Sequence, residues 1–293
     1  MVQPIRTEIF APAKVNFFLG VTGMQKDGYH SLVSWVVPLA FGDTVRIELE
    51  EEACIDTFTI EGIEVDCRPE DNLVLKALSA FRSRVPEFPP VSITLTKNIP
   101  FGAGLGGGSS DAVAALKGFN FLSNDVLDPG ELSLLAASLG SDCPLFLTEG
   151  SSVIRGRGEK VEFLYKKTLP SLKLLLFKPF GGVDTPWAYR KLRAGRHYLD
   201  PVEAERRLGV CLSTLGRVCS FFNSFEVVVF EKMPGLGLLI ESFRSEGIAC
   251  GLSGSGSACF AIVESNAKGD FIRERVGRSL GPDAFIVETR PLS

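Results

Sequence analysis

Five glycines fall within the seven positions from Gly102 to Gly108, in the segment Pro100-Phe-Gly-Ala-Gly-Leu-Gly-Gly-Gly-Ser-Ser-Asp111. Immediately downstream, Ala112, Ala115, Leu116 and Phe119 recur at i, i+3, i+4 and i+7, which predicts an amphipathic helix. Glycine density lets consecutive backbone N–H groups ring an anion, and a helix N-terminus adds its dipole to the same attraction. The chemistry indicated is phosphate binding. Ser109 and Ser110 can cap the helix, donate hydroxyls to phosphate oxygens or help hold Mg²⁺.

Three other groups have the chemistry of a reacting site. Asp142 follows Gly140 directly, where a turn carboxylate or a general base are both in order. Lys14 and Asn16 are two residues apart in an apolar run, so a strand puts both on one face and within reach of one ligand. Tyr29 and His30 follow the Asp27-Gly28 turn, an aromatic and an imidazole suited to a planar base as well as to an ordinary surface turn.

Gly102, Gly104 and Gly107 also satisfy a literal G-x-G-x-x-G pattern, which would suggest a dinucleotide fold and a nicotinamide-dependent oxidoreductase. Such a fold needs a further strand ending in an acidic residue about 20 positions on, and here Glu131 to Leu139 reads as a second helix. No Gly-Lys dipeptide occurs, which excludes a Walker A loop, and the H-R-D and D-F-G motifs of protein kinases are absent.

These groups need a scaffold, and the periodicities predict an α+β one. Short strands are expected at Glu8–Phe10, Val15–Thr22, Leu32–Pro38, Thr44–Leu49 and Ile55–Ile60, with Asp27-Gly28 and Gly42-Asp43 as turns in a meander. A helix from Asn72 to Arg84 and a strand from Val91 to Thr96 lead into the glycine loop. The helix after the loop should be capped by Ser109 or Ser110, with Asp111 in its first turn. The helix from Glu131 should end on a left-handed Gly140.

Beyond Gly150, strands near 152–155, 172–177, 248–252, 258–263 and 284–288 alternate with helices near 185–193, 202–208, 236–245 and 268–279. A boundary near residue 160 divides the chain into parts 1–160 and 161–293.

The 293 residues carry 45% hydrophobic and 23% charged side chains, ordinary values for a protein with a real core. A net charge of -4 offers no field for a nucleic-acid backbone, so a polyanionic ligand must be held by local N–H groups and a few placed lysines. Seven cysteines, Cys54, Cys67, Cys143, Cys211, Cys219, Cys250 and Cys259, form no C-x-x-C pair, and two histidines cannot complete a zinc site. Reduced, mostly buried thiols in a cytoplasmic protein are expected. Met1 to Lys14 lacks the apolar run of a signal peptide, and no apolar stretch reaches membrane-spanning length.

The ordered motifs resemble those of the GHMP kinase superfamily. Pro100 to Ser110 resembles its second signature, in the lengthened Gly-Leu-Gly-Gly-Gly-Ser-Ser form of the diphosphocytidyl-methylerythritol kinase branch. Ala11-Pro-Ala-Lys-Val-Asn-Phe-Phe-Leu19 is similar to the first motif, and Asp27-Gly-Tyr-His-Ser-Leu32 to a cytidine-contacting segment. Gly42-Asp43, Glu70-Asp-Asn-Leu73, Gly140-Ser-Asp-Cys-Pro-Leu-Phe146 and Leu252-Ser-Gly-Ser-Gly-Ser257 follow in the family's order. Ser141 and Cys143 replace Ala and Val around the aspartate, and Asp111 stands where Asn is the commoner residue. Its carboxylate would repel phosphate if it pointed inward, so it is expected to point along the helix. The stretch from Arg193 to Phe222 carries no alignable motif.

The resemblance implies an N-terminal ribosomal-protein-S5-domain-2-like nucleotide-binding domain and a C-terminal ferredoxin-like α/β-plait domain with the active site between them. It implies ATP as phosphoryl donor with Mg²⁺, and transfer to the 2-hydroxyl of a cytidine diphosphate-linked methylerythritol. Asp142 would be the general base and Lys14 would orient the alcohol, with Asn16 beside it. Pro100, Phe101, Gly102, Ala103, Gly104, Leu105, Gly106, Gly107, Gly108, Ser109 and Ser110 would bind the phosphates, while Asn72 and Lys97 would line the adenosine pocket. His30 would read the cytosine edge, Tyr29 and Tyr189 would stack on its faces, and Thr185 would contact the substrate. Partners are thus a small molecule, with no nucleic acid and no membrane, and the chain a monomer or weak homodimer. Two rivals stay open: a GHMP kinase of homoserine or mevalonate type, and a nucleotide-binding sensor that has lost turnover.

Overall fold

A computed structural model describes residues 5–50, 54–64, 67–148, 150–164, 169, 172–214 and 221–292. Cys219, the first residues of the N-terminal stretch and part of the motif-free stretch lie outside the described residues. In chain order the elements are β1 (Arg6–Met24), β2 (His30–Leu49), β3 (Thr57–Gly62), α1 (Leu73–Arg84), β4 (Val91–Lys97), α2 (Gly107–Leu122), α3 (Pro129–Leu139), β5 (Ser152–Gly156) and β6 (Lys160–Phe163). They continue with β7 (Lys173–Lys178), α4 (Thr185–Ala194), α5 (Pro201–Thr214), β8 (Phe222–Asn223), α6 (Glu226–Lys232), α7 (Pro234–Ser245), β9 (Cys250–Leu252), β10 (Cys259–Val263), α8 (Asn266–Leu280) and β11 (Phe285–Thr289).

The α+β class is as expected, but the opening meander is built differently. Five short strands were expected, and the first four are two long ones. Gly42-Asp43 is no turn: β2 runs through it, because the Asp43 carboxylate accepts the Asn98 and Ile99 N–H groups at 2.6 and 2.8 Å and anchors the strand to the residues after β4. Residues 11–21 of β1 are almost wholly buried, so apolar packing favours one continuous strand over the two segments Glu8–Phe10 and Val15–Thr22 that were expected.

Packing gathers the chain into two units. The first comprises Met1–Ala13, Phe41–Phe101 and Gly106–Glu149; the second comprises Lys14–Ala40, Gly102–Leu105 and Gly150–Ser293. The units are not the two continuous halves 1–160 and 161–293, since the long strands β1 and β2 each give residues to both.

In the first unit β4 lies between β3, parallel, and the end of β2, antiparallel. Its alternate residues are buried, so the period-2 pattern read from Val91 to Thr96 faces a core. Phe81 of α1 and Phe119 of α2 meet at 5.7 Å, with Phe88 at 5.0 and 5.6 Å from them. Asp128 and Glu131 form a capping box that starts α3.

In the second unit β5 pairs with the start of β2, and β8 runs parallel to β1 with Leu19 opposite Asn223. A separate antiparallel sheet has the order β11-β7-β10-β9. Phe17, Trp35, Phe221 and Phe260 form an aromatic core, with Phe17 centred 5.2, 4.8 and 5.3 Å from the other three. Among the described residues no helix is long and apolar enough to cross a membrane, and the described cysteines are free thiols.

Candidate active site

The glycine loop opens α2, but the helix begins earlier than the serines suggest. Gly106, in the left-handed region at φ 74°, is the N-cap, Gly107 is the first helical residue, and Ser110 N–H already bonds to the Gly106 carbonyl at 3.0 Å. Ser109 and Ser110 therefore lie inside the first turn and are not caps, which leaves their hydroxyls for other work. Ser109 faces Gly140 and hydrogen-bonds the Cys143 thiol, whereas the Ser110 hydroxyl is buried with no hydrogen-bond partner. Burial pushes the Cys143 thiol up to about 11, so it stays protonated.

Behind the first turn lies a buried ionic group. Lys97 Nζ is bound by Asp43 and, at 2.7 Å, by Asp111 Oδ2, and all three side chains are nearly solvent-free. Asp111 thus points inward to a lysine and not along the helix, because a placed ammonium compensates the carboxylate that would otherwise repel an anion. Its second oxygen, Oδ1, is buried without a partner. Lys97 also backs the loop closely: a Cβ on Gly107 would stand 3.3 Å from its Nζ. Asn72 is the N-cap of α1, its Oδ1 accepting the Val74 N–H at 2.9 Å.

Asp142 precedes the short 3₁₀ turn Cys143–Phe146, in the same unit as Gly106 to Ser110 and Lys97. Gly140 is extended, at φ 173°, and not left-handed; the chain leaves α3 straight and re-closes when Cys143 N–H bonds to the Gly140 carbonyl at 3.1 Å.

The second unit holds Lys14, Asn16 and the loop residues Gly102 to Leu105. Lys14 Nζ donates to Asn16 Oδ1 at 2.8 Å, and Asn16 Nδ2 donates to Ser34 Oγ at 2.8 Å, so the strand pairing read from the sequence holds. Both side chains are buried. The segment Ser253 to Ser257 binds this group together. Gly254 N–H reaches Asn16 Oδ1 at 2.9 Å, Ser253 Oγ donates to the Gly104 carbonyl at 3.0 Å, and Ser255 Oγ meets Thr185 Oγ1 at 2.6 Å. Gly104 sits at φ 77°, and any Cβ would collide with the Ser253 carbonyl. Thr185 opens α4 behind an Asp184 cap.

His30 stacks on Tyr189 at 4.5 Å, and its Nε2 lies 3.2 Å from the Tyr198 hydroxyl. Burial, and then the charge of Arg193, hold the imidazole below its usual range, so it is neutral near pH 7. Tyr29 is exposed and lies under Arg157 at 5.2 Å, and Arg157 pairs with Asp27 at 2.7 Å. The structure therefore joins His30 to Tyr189 and puts Tyr29 against a guanidinium.

Residues not singled out from sequence are Asp43 as a lysine ligand, Tyr198, Arg157, Arg193 and Asn223. Tyr198 and Arg193 lie in a stretch without motif, and their only available signal was residue type.

Residues 72–150 match the family model for the GHMP kinases N terminal domain, and residues 209–283 match that for GHMP kinases C terminal. The 4-diphosphocytidyl-2-C-methyl-D-erythritol kinase of Porphyromonas gingivalis is 34% identical, over 89% of this chain and 94% of its own. That of Parabacteroides distasonis is 35% identical, over 95% and 97%. A crystal structure of 4-(cytidine 5'-diphospho)-2C-methyl-D-erythritol kinase superposes with a TM-score of 0.77 at 32% identity, covering 97% of this chain and 99% of its own. A homoserine kinase from Cytophaga hutchinsonii has a TM-score of 0.74 at 18% identity and shares the fold.

Proposed function

The chain belongs to the GHMP kinase family, and on that premise we propose that it transfers the γ-phosphoryl group of ATP to the 2-hydroxyl of 4-diphosphocytidyl-2-C-methyl-D-erythritol. The products are the 2-phosphate and ADP, and the step belongs to non-mevalonate isoprenoid precursor synthesis. The observation that carries this reading is near end-to-end identity above 30% to kinases of that name, with the lengthened glycine loop in place. Solved homoserine and mevalonate kinases are below 20% identical and support the shared fold alone.

Phosphoryl transfer asks the protein for positioning and charge neutralisation. The loop from Pro100 to Ser110 would hold the ATP phosphates on its N–H groups, and Asn72 and Lys97 would border the adenosine. The alcohol oxygen bonds to the γ-phosphorus as the bond to the ADP oxygen breaks, and the hydroxyl proton passes late to the Asp142 carboxylate. Lys14, held by Asn16, would orient the alcohol. His30, neutral and hydrogen-bonding, would read the cytosine edge with Tyr29 and Tyr189 beside it, and Thr185 would touch the substrate.

Mg²⁺ would enter as a nucleotide-borne ion. The unpartnered Ser110 hydroxyl and Ser109 are the groups that would meet it. When bound, Mg²⁺ neutralises phosphate charge. Residues 1–160 would form the ATP-binding part and 161–293 the second part. Action in the cytoplasm, as a monomer or weak homodimer, completes the reading.

ADP release from Mg-ATP and the diphosphocytidyl alcohol tests it, with Asp142→Asn and Lys14→Ala compared at matched folding. Substrate-dependent ADP that collapses in both variants supports the assignment. A folded wild type that releases ADP only with homoserine or mevalonate, or with no acceptor at all, overturns it.

A further inference from the structure

Asn223 is buried in β8, opposite Leu19 of β1, and each polar atom of its side chain is committed. Nδ2 donates to the Leu252 carbonyl at 2.9 Å and to the Gly254 carbonyl at 2.8 Å, while Oδ1 accepts the Phe225 N–H at 2.9 Å. One amide thus spans both ends of the Leu252 to Gly254 turn. Gly254, at φ 54°, turns its N–H to Asn16 Oδ1, the same atom that receives Lys14 Nζ. Its approach is close: a Cβ there would collide with the Gly104 carbonyl oxygen at 2.7 Å and stand 3.2 Å from Lys14 Nζ.

Asn16 Oδ1 has two donors in place only while the Gly254 peptide keeps its orientation, and Ser34, which receives Asn16 Nδ2, fixes the other end of the amide. We propose that Asn223 is a positioning residue of the phosphoryl-transfer site, acting through the Gly254 peptide and Asn16 to set where the Lys14 ammonium lies. It touches no reacting atom. The inference rests on the assignment of Lys14 made above and adds the residue that places it. The physical reason is donor inventory: two carbonyl oxygens need two N–H groups from one rigid side chain, which an amide supplies and a carboxylate cannot.

The test compares Asn223→Ala and Asn223→Asp with wild type in full-length protein, and repeats Asn223→Ala in an Asn16→Ala background. Asn223→Ala should lower kcat about 10- to 100-fold, the scale of a misplaced catalytic group, with KM for ATP little changed. In the Asn16→Ala background it should add little, because the route to Lys14 is already cut. Asn223→Asp should regain part of kcat relative to Asn223→Ala as pH falls, when the protonated carboxyl offers one O–H to one of the two carbonyls, which a loss of packing alone would not produce. Independently of turnover, hydrogen exchange at the Gly254 amide should speed up in Asn223→Ala while that at Ala258, bonded to Ala103, is retained.

A lower Tm with unchanged kcat per folded molecule, or an equal loss in both backgrounds, would overturn the proposal. If wild type itself does not turn over the diphosphocytidyl alcohol, the functional reading fails, and the exchange result still decides whether Asn223 sets the turn.

Discussion

Lys97 and Asp111 form an ion pair of 2.7 Å whose side chains are only 7% and 4% exposed, and Asp43 completes a triad with two carboxylates on one ammonium. Such a group has an excess negative charge in a site where charge is costly. Burial, then the neighbouring charge of Asp43, against the pull of Lys97, push the Asp111 carboxyl up to about 8. The folded protein therefore binds a proton that the unfolded chain, titrating near 4, has released. Stability contributed by this proton is complete below pH 4 and is lost as pH rises toward 8. Urea unfolding of wild type and Asp111→Asn across that range should show the variant gaining relative stability with pH; parallel curves would refute the proton's presence.

Lys97→Met removes the only cation of the triad and leaves Asp43 and Asp111 facing each other without solvent. The expected loss is about 3–5 kcal/mol in chemical denaturation. Adding Asp111→Asn to Lys97→Met should recover part of it, since the second acidic group facing the buried Asp43 is then gone.

Gly104→Ala demands both a strained φ and space that the Ser253 carbonyl already occupies. A stability loss of about 1–3 kcal/mol and a KM for ATP raised about tenfold are expected. Ala at Gly102, which has a positive φ but open space around it, should cost less, and the pair of variants separates backbone strain from collision.

His30 is held below its ordinary range by burial and by Arg193, so it contributes stability above the unfolded-state value of about 6.5 that is lost as pH falls through the lower folded value. Imidazole NMR should place its titration below that of a free histidine. Arg193→Ala should move it upward by removing the smaller of the two causes, leaving burial in force.

The segments Ala11–Leu19 and Leu252–Ser257 are legible as motifs but not as partners. Lys14 and Asn16 sharing a face followed from strand alternation, and the helix after the glycine loop followed from its period. That Gly254 reaches Asn16 over more than two hundred intervening residues left no local signal. Asp111 is the sharper case. Phosphate repulsion favours a carboxylate that points along the helix, and the contact that turns it inward comes from Lys97 at the end of a strand and Asp43 inside another.

The amino-acid sequence by itself determined the α+β class, most helices and strands after residue 70, the glycine loop ahead of a helix and the family, because these depend on periodicity, glycine density and ordered motifs within short windows. The tertiary structure alone decided that β1 and β2 run unbroken, that Gly106 and not a serine starts α2, and that Asn223 holds the Gly254 turn. The physical reason is long-range packing in two cases: Asp43 within β2 and Asn223 find their partners in residues distant in the chain until the core brings them together, and β1 is held unbroken by burial of its apolar residues. The start of α2 is a matter of backbone conformation, Gly106 taking the left-handed φ that a serine would adopt only with strain.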